Sequence, residues 1–224
     1  MVAKSLLFML PLAIAGWAQA SPVAKRASCS SYVIIDTRGT GEFQGPSAGF
    51  RTMNSRILSS VSGGSEYDTI YPADFSQIST QGTQNIVAEV KNKLAQNPAT
   101  CFILEGYSQG AAATVNALPQ LTGSSFDAVK GVILIGNPDH KPGLACNVDN
   151  NGGKSTASAS GISAAFSQGI PSSWVSKTLD ICIFGDGVCD AQSGFGITFQ
   201  HLLYPNDANI QSMGANFAIK ALQG

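Results

Sequence analysis

Cys101-Phe102-Ile103-Leu104-Glu105-Gly106-Tyr107-Ser108-Gln109-Gly110-Ala111-Ala112-Ala113-Thr114-Val115-Asn116-Ala117-Leu118 is the stretch that decides the fold. Its first five residues are a short, mostly apolar run and read as a buried strand. Its last eight read as a helix stopped by Pro119. Between them, residues 106–110 satisfy G-x-S-x-G in the strand–turn–helix context of a nucleophile elbow. The geometry accounts for the residue types. A sharp turn holds the serine in a strained conformation, neighbouring chain passes close on both sides, and only glycine fits there. The three alanines let the helix pack closely on the sheet. Context matters, because Gly45-Pro46-Ser47-Ala48-Gly49 fits the same five-residue pattern. No strand delivers Ser47, which follows the polar loop 37–44. Pro46 and Ser47 read instead as the opening of a helix with Phe50, Met53, Ile57 and Leu58 at helical spacing. Ser108 is the candidate nucleophile.

Working outward, residues 31–35, 67–71, 102–104, 132–135 and 179–184 read as five strands. Helical patterns separate them, including 81–94 with Ile86, Val87, Val90 and Leu94 on one face, and a closing helix over 208–222. Strands that are continuously apolar and alternate with helices indicate a parallel sheet covered on both faces. With the elbow, this predicts an α/β-hydrolase fold on a central five-stranded parallel sheet, without a lid. Residues 147–163, rich in Gly, Ser and Asn, read as a surface loop. There is no internal repeat and no second domain.

The first twenty residues read as a signal peptide. Lys4 gives a basic start, an apolar core too short for a bilayer follows, and Ala18-Gln19-Ala20 is an A-x-A cleavage site. Residues 21–26 read as a propeptide ending in Lys25-Arg26, which leaves 27–224 as one domain. Removing Lys4, Lys25 and Arg26 from 13 basic residues leaves 10 against 14 acidic ones. That balance, with no basic patch, excludes nucleic acid as an expected partner. No other apolar run reaches membrane-spanning length. A secreted, extracellular monomer acting on an ester substrate is the expectation. Five cysteines in such a chain imply two disulfides and one thiol left over, with several pairings open. The sharpest pair is Cys182 and Cys189 around a small loop; Cys29, just before the first strand, would then tie to Cys101, just before the strand that delivers Ser108, with Cys146 the odd one, read as a buried free thiol. Two nucleotide-site echoes fail: Gly39, Gly41 and Gly45 are wrongly spaced, and no strand precedes Gly153-Lys154-Ser155.

A serine hydroxyl needs a base to take its proton and a carboxylate to orient that base. On an α/β-hydrolase the chain order is Ser, then acid, then His. Of the two histidines, His201 lies downstream of every candidate acid. His140 would need Asp127 or the adjacent Asp139, and reads as a surface or loop-packing residue. Asp186, just past the end of the fifth strand, is the leading acid, with Asp190 and Asp180 as alternatives. For the oxyanion, one donor is the Gln109 N–H and another comes from loop 36–42, with Thr40 the best candidate there. This chemistry calls for no metal and no cofactor. Phe43, Phe75, Phe195, Ile197, Phe199, Leu202 and Leu203 flank the expected mouth, and about half of them are expected in the core.

Residues 37–42 (Thr-Arg-Gly-Thr-Gly-Glu), the elbow 106–110, Cys182-x-x-x-Asp186-x-x-Cys189 and His201-Leu202-x-Tyr204 together resemble the cutinase family over essentially the whole mature chain. Residues 109–115 and 135–141 are most similar to the cutinase-like polyester hydrolases of basidiomycetous yeasts. The resemblance implies Ser108 as nucleophile, Asp186 as acid, His201 as base, Thr40 and Gln109 at the oxyanion hole, and disulfides Cys29–Cys101 and Cys182–Cys189. It implies activity on cutin, short- to medium-chain esters and aliphatic polyesters. The rival reading is an acetylxylan esterase on a related fold. Cys146 and the long 147–163 segment depart from the common filamentous-fungal pattern, and neither removes a catalytic element.

Overall fold

β1 (Tyr32–Thr37) and β3 (Cys101–Tyr107) pair in parallel at the heart of a six-stranded sheet of order β2-β1-β3-β4-β6-β5, in a computed structural model that describes residues 1–2 and 28–224. The expected signal peptide and propeptide fall almost wholly outside the described residues. β2 (Gly64–Asp68), β4 (Val129–Ile135), β5 (Asn147–Val148) and β6 (Thr178–Ile181) complete the sheet, and every pairing is parallel. Chain order runs outward from β1 to β2, then reverses through β3 to β4. Loops leaving the carboxyl ends of β1 and β3 therefore flank the point where ligands meet such sheets.

Both faces are covered. α2 (Thr80–Gln96) and α3 (Gln109–Ala117) lie on one side, where Val33, Ile35, Ile86, Val90, Leu104 and Val115 form a buried cluster. α1 (Arg51–Ser60) and α5 (Ala208–Gln223) lie on the other, over Ile34, Met53, Ile57, Ile103 and Ile210. Fully burying each of these aliphatic side chains contributes roughly 1.5–3 kcal/mol relative to leaving it exposed. A short α4 (Ser124–Ala128) leads into β4. α5 starts where Asp207 accepts hydrogen bonds from the Asn209 and Ile210 N–H groups, a side-chain N-cap.

The sequence reading needs four corrections, the simplest being that the strand expected over 179–184 runs Thr178–Ile181. The sheet has six strands, because two residues of the expected surface loop form β5, held as Asp180 N donates to Cys146 O and Cys182 N to Val148 O. A two-residue strand leaves no periodic signal. The second strand lies earlier than residues 67–71, because Gly64-Ser65-Glu66 pairs with β1 at a polar edge and Thr69 N already turns back to Asp36 O. The first helix begins at Arg51 rather than Pro46, after a turn in which Phe50 N donates to Ser47 O.

Disulfides join Cys29 to Cys101 and Cys182 to Cys189. The first ties the starts of β1 and β3 across 72 residues of chain and contributes about 2–4 kcal/mol. Cys146 is unpaired and buried, and desolvation pushes its thiol up to about 12.

Candidate active site

Ser108 sits between β3 and α3 with φ 55° and ψ −119°, a strained conformation for a residue with a side chain. The flanking glycines are dictated by contact. A Cβ on Gly106 would lie 2.6 Å from Ala111 Cα, and one on Gly110 would lie 2.0 Å from Thr37 O. The first turn of α3 is thus pressed against both its own strand and the loop leaving β1. As the first helical residue, Gln109 has a backbone N–H with no intrahelical acceptor, pointing out beside the serine.

Three side chains meet above this turn. His201 Nε2 is 2.9 Å from Ser108 Oγ, and its Nδ1 is 2.9 Å and 3.0 Å from the two Asp186 carboxylate oxygens. Donation from Nδ1 to Asp186 leaves Nε2 as the acceptor for the serine proton, which is the tautomer a general base needs. All three are buried, with Ser108 the most accessible at 8 %. Asp186 lies in a turn after β6, in which its own N–H donates to Ile183 O and the 182–189 disulfide closes the loop. Its charge is satisfied by Val188 N at 2.9 Å and the Tyr204 hydroxyl at 2.6 Å as well as by His201. Burial raises the Tyr204 pKa, so the phenol stays protonated as donor. Tyr107 donates to the His201 carbonyl at 2.6 Å and stacks on its ring at 5.4 Å, which fixes the histidine from β3.

Thr40, on the loop after β1, accepts from Gln77 Nε2 at 3.0 Å and lies 3.2 Å from Gln109 Oε1. The two expected oxyanion residues are therefore brought together. Glu42 shapes this loop: Oε2 accepts from Gly39 N at 2.6 Å and Ser47 Oγ at 2.9 Å, and Oε1 accepts from Ala48 N at 2.7 Å. Ser47, the competing serine, is fully buried as one of these donors. Arg38 grips the same loop, donating from Nε to Glu42 O at 2.9 Å.

Of the two readings of His140, surface or loop-packing, the structure overturns the first: it is fully buried, with Nδ1 2.8 Å from Asp180 Oδ2 and Nε2 3.3 Å from Thr156 O. Asp180, considered as an acid for His201, partners His140 instead, and Asp190 accepts from Gly185 N at 3.1 Å. Of the seven apolar residues at the expected mouth, Phe43, Phe75, Phe195, Ile197, Phe199 and Leu202 are exposed, and only Leu203 packs into the core. That is fewer buried than half. The roles of Glu42 and Tyr107 are absent from the sequence reading, and Tyr204 figured only as part of a motif. A cleft of about 690 Å³ lined by Phe126, Lys130, Lys177, Phe217 and Lys220 lies at the opposite end of the sheet, where β4 and β6 begin.

Comparison with known proteins accords with this architecture. The chain is 58 % identical to a solved structure described as a novel cutinase-like protein from Cryptococcus sp., with a TM-score of 0.86 over 88 % of this chain and 98 % of that one. A catalytic core domain of acetyl xylan esterase from Trichoderma reesei shares the fold at a TM-score of 0.70 and 24 % identity, over 87 % of this chain and 100 % of that one. A cutinase of Hypocrea jecorina is 30 % identical over 142 residues, 62 % of this chain, and the match spans only 46 % of that relative's own length. The family model described as Cutinase matches residues 28–222, so that fold, elbow and disulfide framework all lie inside the match, and the chain belongs to the cutinase family.

Proposed function

We propose that this chain is a secreted serine esterase that hydrolyses carboxylic esters of cutin, of short- to medium-chain acids and of aliphatic polyesters. The observation that carries the proposal is the continuous path Ser108–His201–Asp186, with 2.9 Å at each link, at a strained elbow. His201 takes the Ser108 proton as the oxygen attacks the ester carbonyl, and Asp186 stabilises the imidazolium. The Gln109 N–H and Thr40 stabilise the oxyanion. The protonated His201 then hands its proton to the departing alcohol. Water, deprotonated in turn by His201, releases the acid from the acyl-enzyme.

Phe43 follows Glu42, Phe75 lies against Gly41 of the oxyanion loop, Phe195, Ile197 and Phe199 line the segment between Asp186 and His201, and Leu202 follows the histidine. An exposed apolar collar around a nucleophile supports binding of acyl chains or a polyester surface. An acetylxylan esterase would favour a polar rim that receives sugar hydroxyls.

The test is hydrolysis of p-nitrophenyl esters from acetyl to palmitoyl, beside an emulsified aliphatic polyester and acetylated xylan, with Ser108→Ala as control. Activity highest at butyryl to octanoyl, with polyester clearing, and a drop of about 10⁴–10⁶-fold in the variant is expected. Activity confined to acetyl groups on xylan would make the protein a carbohydrate esterase. Full activity in the variant would remove Ser108 from the mechanism. N-terminal sequencing of the secreted protein is expected to begin at Ala27.

A further inference from the structure

Four carboxylates meet on one face of the sheet beneath α1, on the side of the edge strand β2. Asp36 near the end of β1 is in register with Asp68 on β2 and with Glu105 on β3, and Glu66 lies two residues before Asp68 on the same face. Oxygens of Asp36, Glu66 and Asp68 lie within 4.8 Å of one another. Asp36 and Glu105 are buried, whereas Glu66 and Asp68 are half-buried, so the cluster reaches solvent across β2.

Burial raises the pKa of all four carboxyls, those of Asp36 and Glu105 most, and no ion pair among the described residues offsets their crowding. Among the described residues the ion pairs are Lys93–Glu89, His140–Asp180 and His201–Asp186, and none involves the four. The guanidinium of Arg38 is occupied by Gln44 Oε1 and by the carbonyls of Glu42, Thr69 and Tyr71. Asp36 Oδ2 accepts from Ser47 N at 2.8 Å, but Asp36 Oδ1, Asp68 Oδ1 and both Glu105 oxygens are buried with no hydrogen-bond partner among the described residues.

A separate element points the same way. Asn54 on α1 is only 2 % exposed, its amide faces Glu66 and Glu105, and neither Oδ1 nor Nδ2 has a hydrogen-bond partner among the described residues. Its neighbours Met53 and Ile57 on α1 are apolar core, so Asn54 is the one polar side chain of this face, and it is turned to the carboxyls. A buried carboxamide with both ends unused is destabilising unless it serves a ligand.

We propose that Asp36, Glu66, Asp68 and the Asn54 carbonyl oxygen bind a calcium ion, entered from the β2 edge. The donors are all oxygen, which selects a hard cation. One oxygen from each of Asp36, Glu66 and Asp68 lies within 4.8 Å of the others, close enough for a single ion to reach all three. Calcium accepts an irregular set of oxygen ligands at about 2.3–2.6 Å, whereas magnesium demands near-ideal octahedral geometry and gives up its waters reluctantly. The Asn54 amide nitrogen then turns toward Glu105 behind the ion. The ion ties β1, β2 and α1 together just before the loop that carries Thr40.

The test uses the wild-type protein freed of metal with a chelator. Calorimetric titration with CaCl2 is expected to show one site, with a Kd of about 10⁻⁴–10⁻³ M for a module of this kind. At a tenfold excess over Kd the melting temperature is expected to rise by about 3–6 °C. Glu66→Gln and Asp68→Asn, at the half-buried positions, are expected to abolish both the heat and the rise. An absence of heat and of any thermal shift in the wild type would overturn the proposal without recourse to variants. So would an equal rise with MgCl2 or with NaCl at matched ionic strength, or retention of the calcium effect in both variants.

Discussion

Replacing Gly136 by alanine tests how closely the imidazole must be held. Gly136 follows β4 at φ +57°, and a Cβ built there stands 2.7 Å from His201 Cε1, 2.9 Å from Nδ1 and 3.2 Å from Asp186 Oδ2. Ordinary contact begins at 3.4 Å, so the ring must retreat by about 0.7 Å. The link from Nε2 to Ser108 Oγ, now 2.9 Å, would be drawn out of hydrogen-bond range or tilted. A displacement of this order at a reacting group costs about 10²-fold in rate. We expect kcat on p-nitrophenyl butyrate to fall by about that factor while KM changes little, because the substrate-facing rim is untouched. The left-handed backbone adds about 1–2 kcal/mol of destabilisation for a residue with a Cβ. Gly123→Ala supplies the control: its φ is +56° and a Cβ there meets nothing within 4 Å. It should lose comparable stability and no activity. If Gly136→Ala kept kcat within about threefold of wild type, or if both variants lost activity alike, the argument from ring displacement would fail.

Three further outcomes follow from the same geometry. Tyr204→Phe removes the hydroxyl that donates to Asp186 Oδ2 at 2.6 Å and accepts from Ile183 N at 3.1 Å. Urea denaturation should show a loss of about 1.5–3 kcal/mol, and kcat should fall as Asp186 loses a donor that fixes it against His201. Glu42→Gln can accept through only one of its two terminal atoms, so either the Gly39 and Ser47 donors or the Ala48 donor is left facing an amide. A tenfold or so drop in kcat, with a smaller change in KM, would reflect a loosened oxyanion loop. His140 is buried, which opposes its charge, but the Asp180 carboxylate and Thr156 O more than offset this and raise its pKa. A raised folded-state pKa contributes stability that is complete below about 6.5 and lost as pH rises through the folded value. The deficit of His140→Gln measured by urea melts should therefore be greatest near pH 5 and narrow toward pH 9, and a flat deficit would count against the charged pair.

What the sequence disclosed depended on how local each signal was. Ser108 was legible because strand, turn and helix are contiguous and two glycines are sterically required. His201 and Asp186 were legible because the chain has only two histidines and the fold fixes an order. The His140–Asp180 pair was not, because its members are 40 residues apart and meet only once β6 lies beside β4. Glu42 looked like one more residue of a polar loop, since nothing in its neighbours says that three donors converge on it. β5 escaped notice because two residues carry no period. The exposure of Phe195 and Phe199 was equally hidden, as hydrophobicity alone does not say whether an aromatic side chain faces core or solvent.

Cys146 bears on how the chain acquires its two bridges. An odd thiol among four that must pair is a standing invitation to mispairing, because exchange proceeds through a thiolate. With its thiol pushed up to about 12, the folded protein holds Cys146 almost wholly protonated. At pH 8 only about one molecule in 10⁴ would carry the reactive form, and that form would be buried. Once the sheet has closed, the fifth cysteine is chemically mute, and the correct pairing is kept by kinetics as well as by geometry.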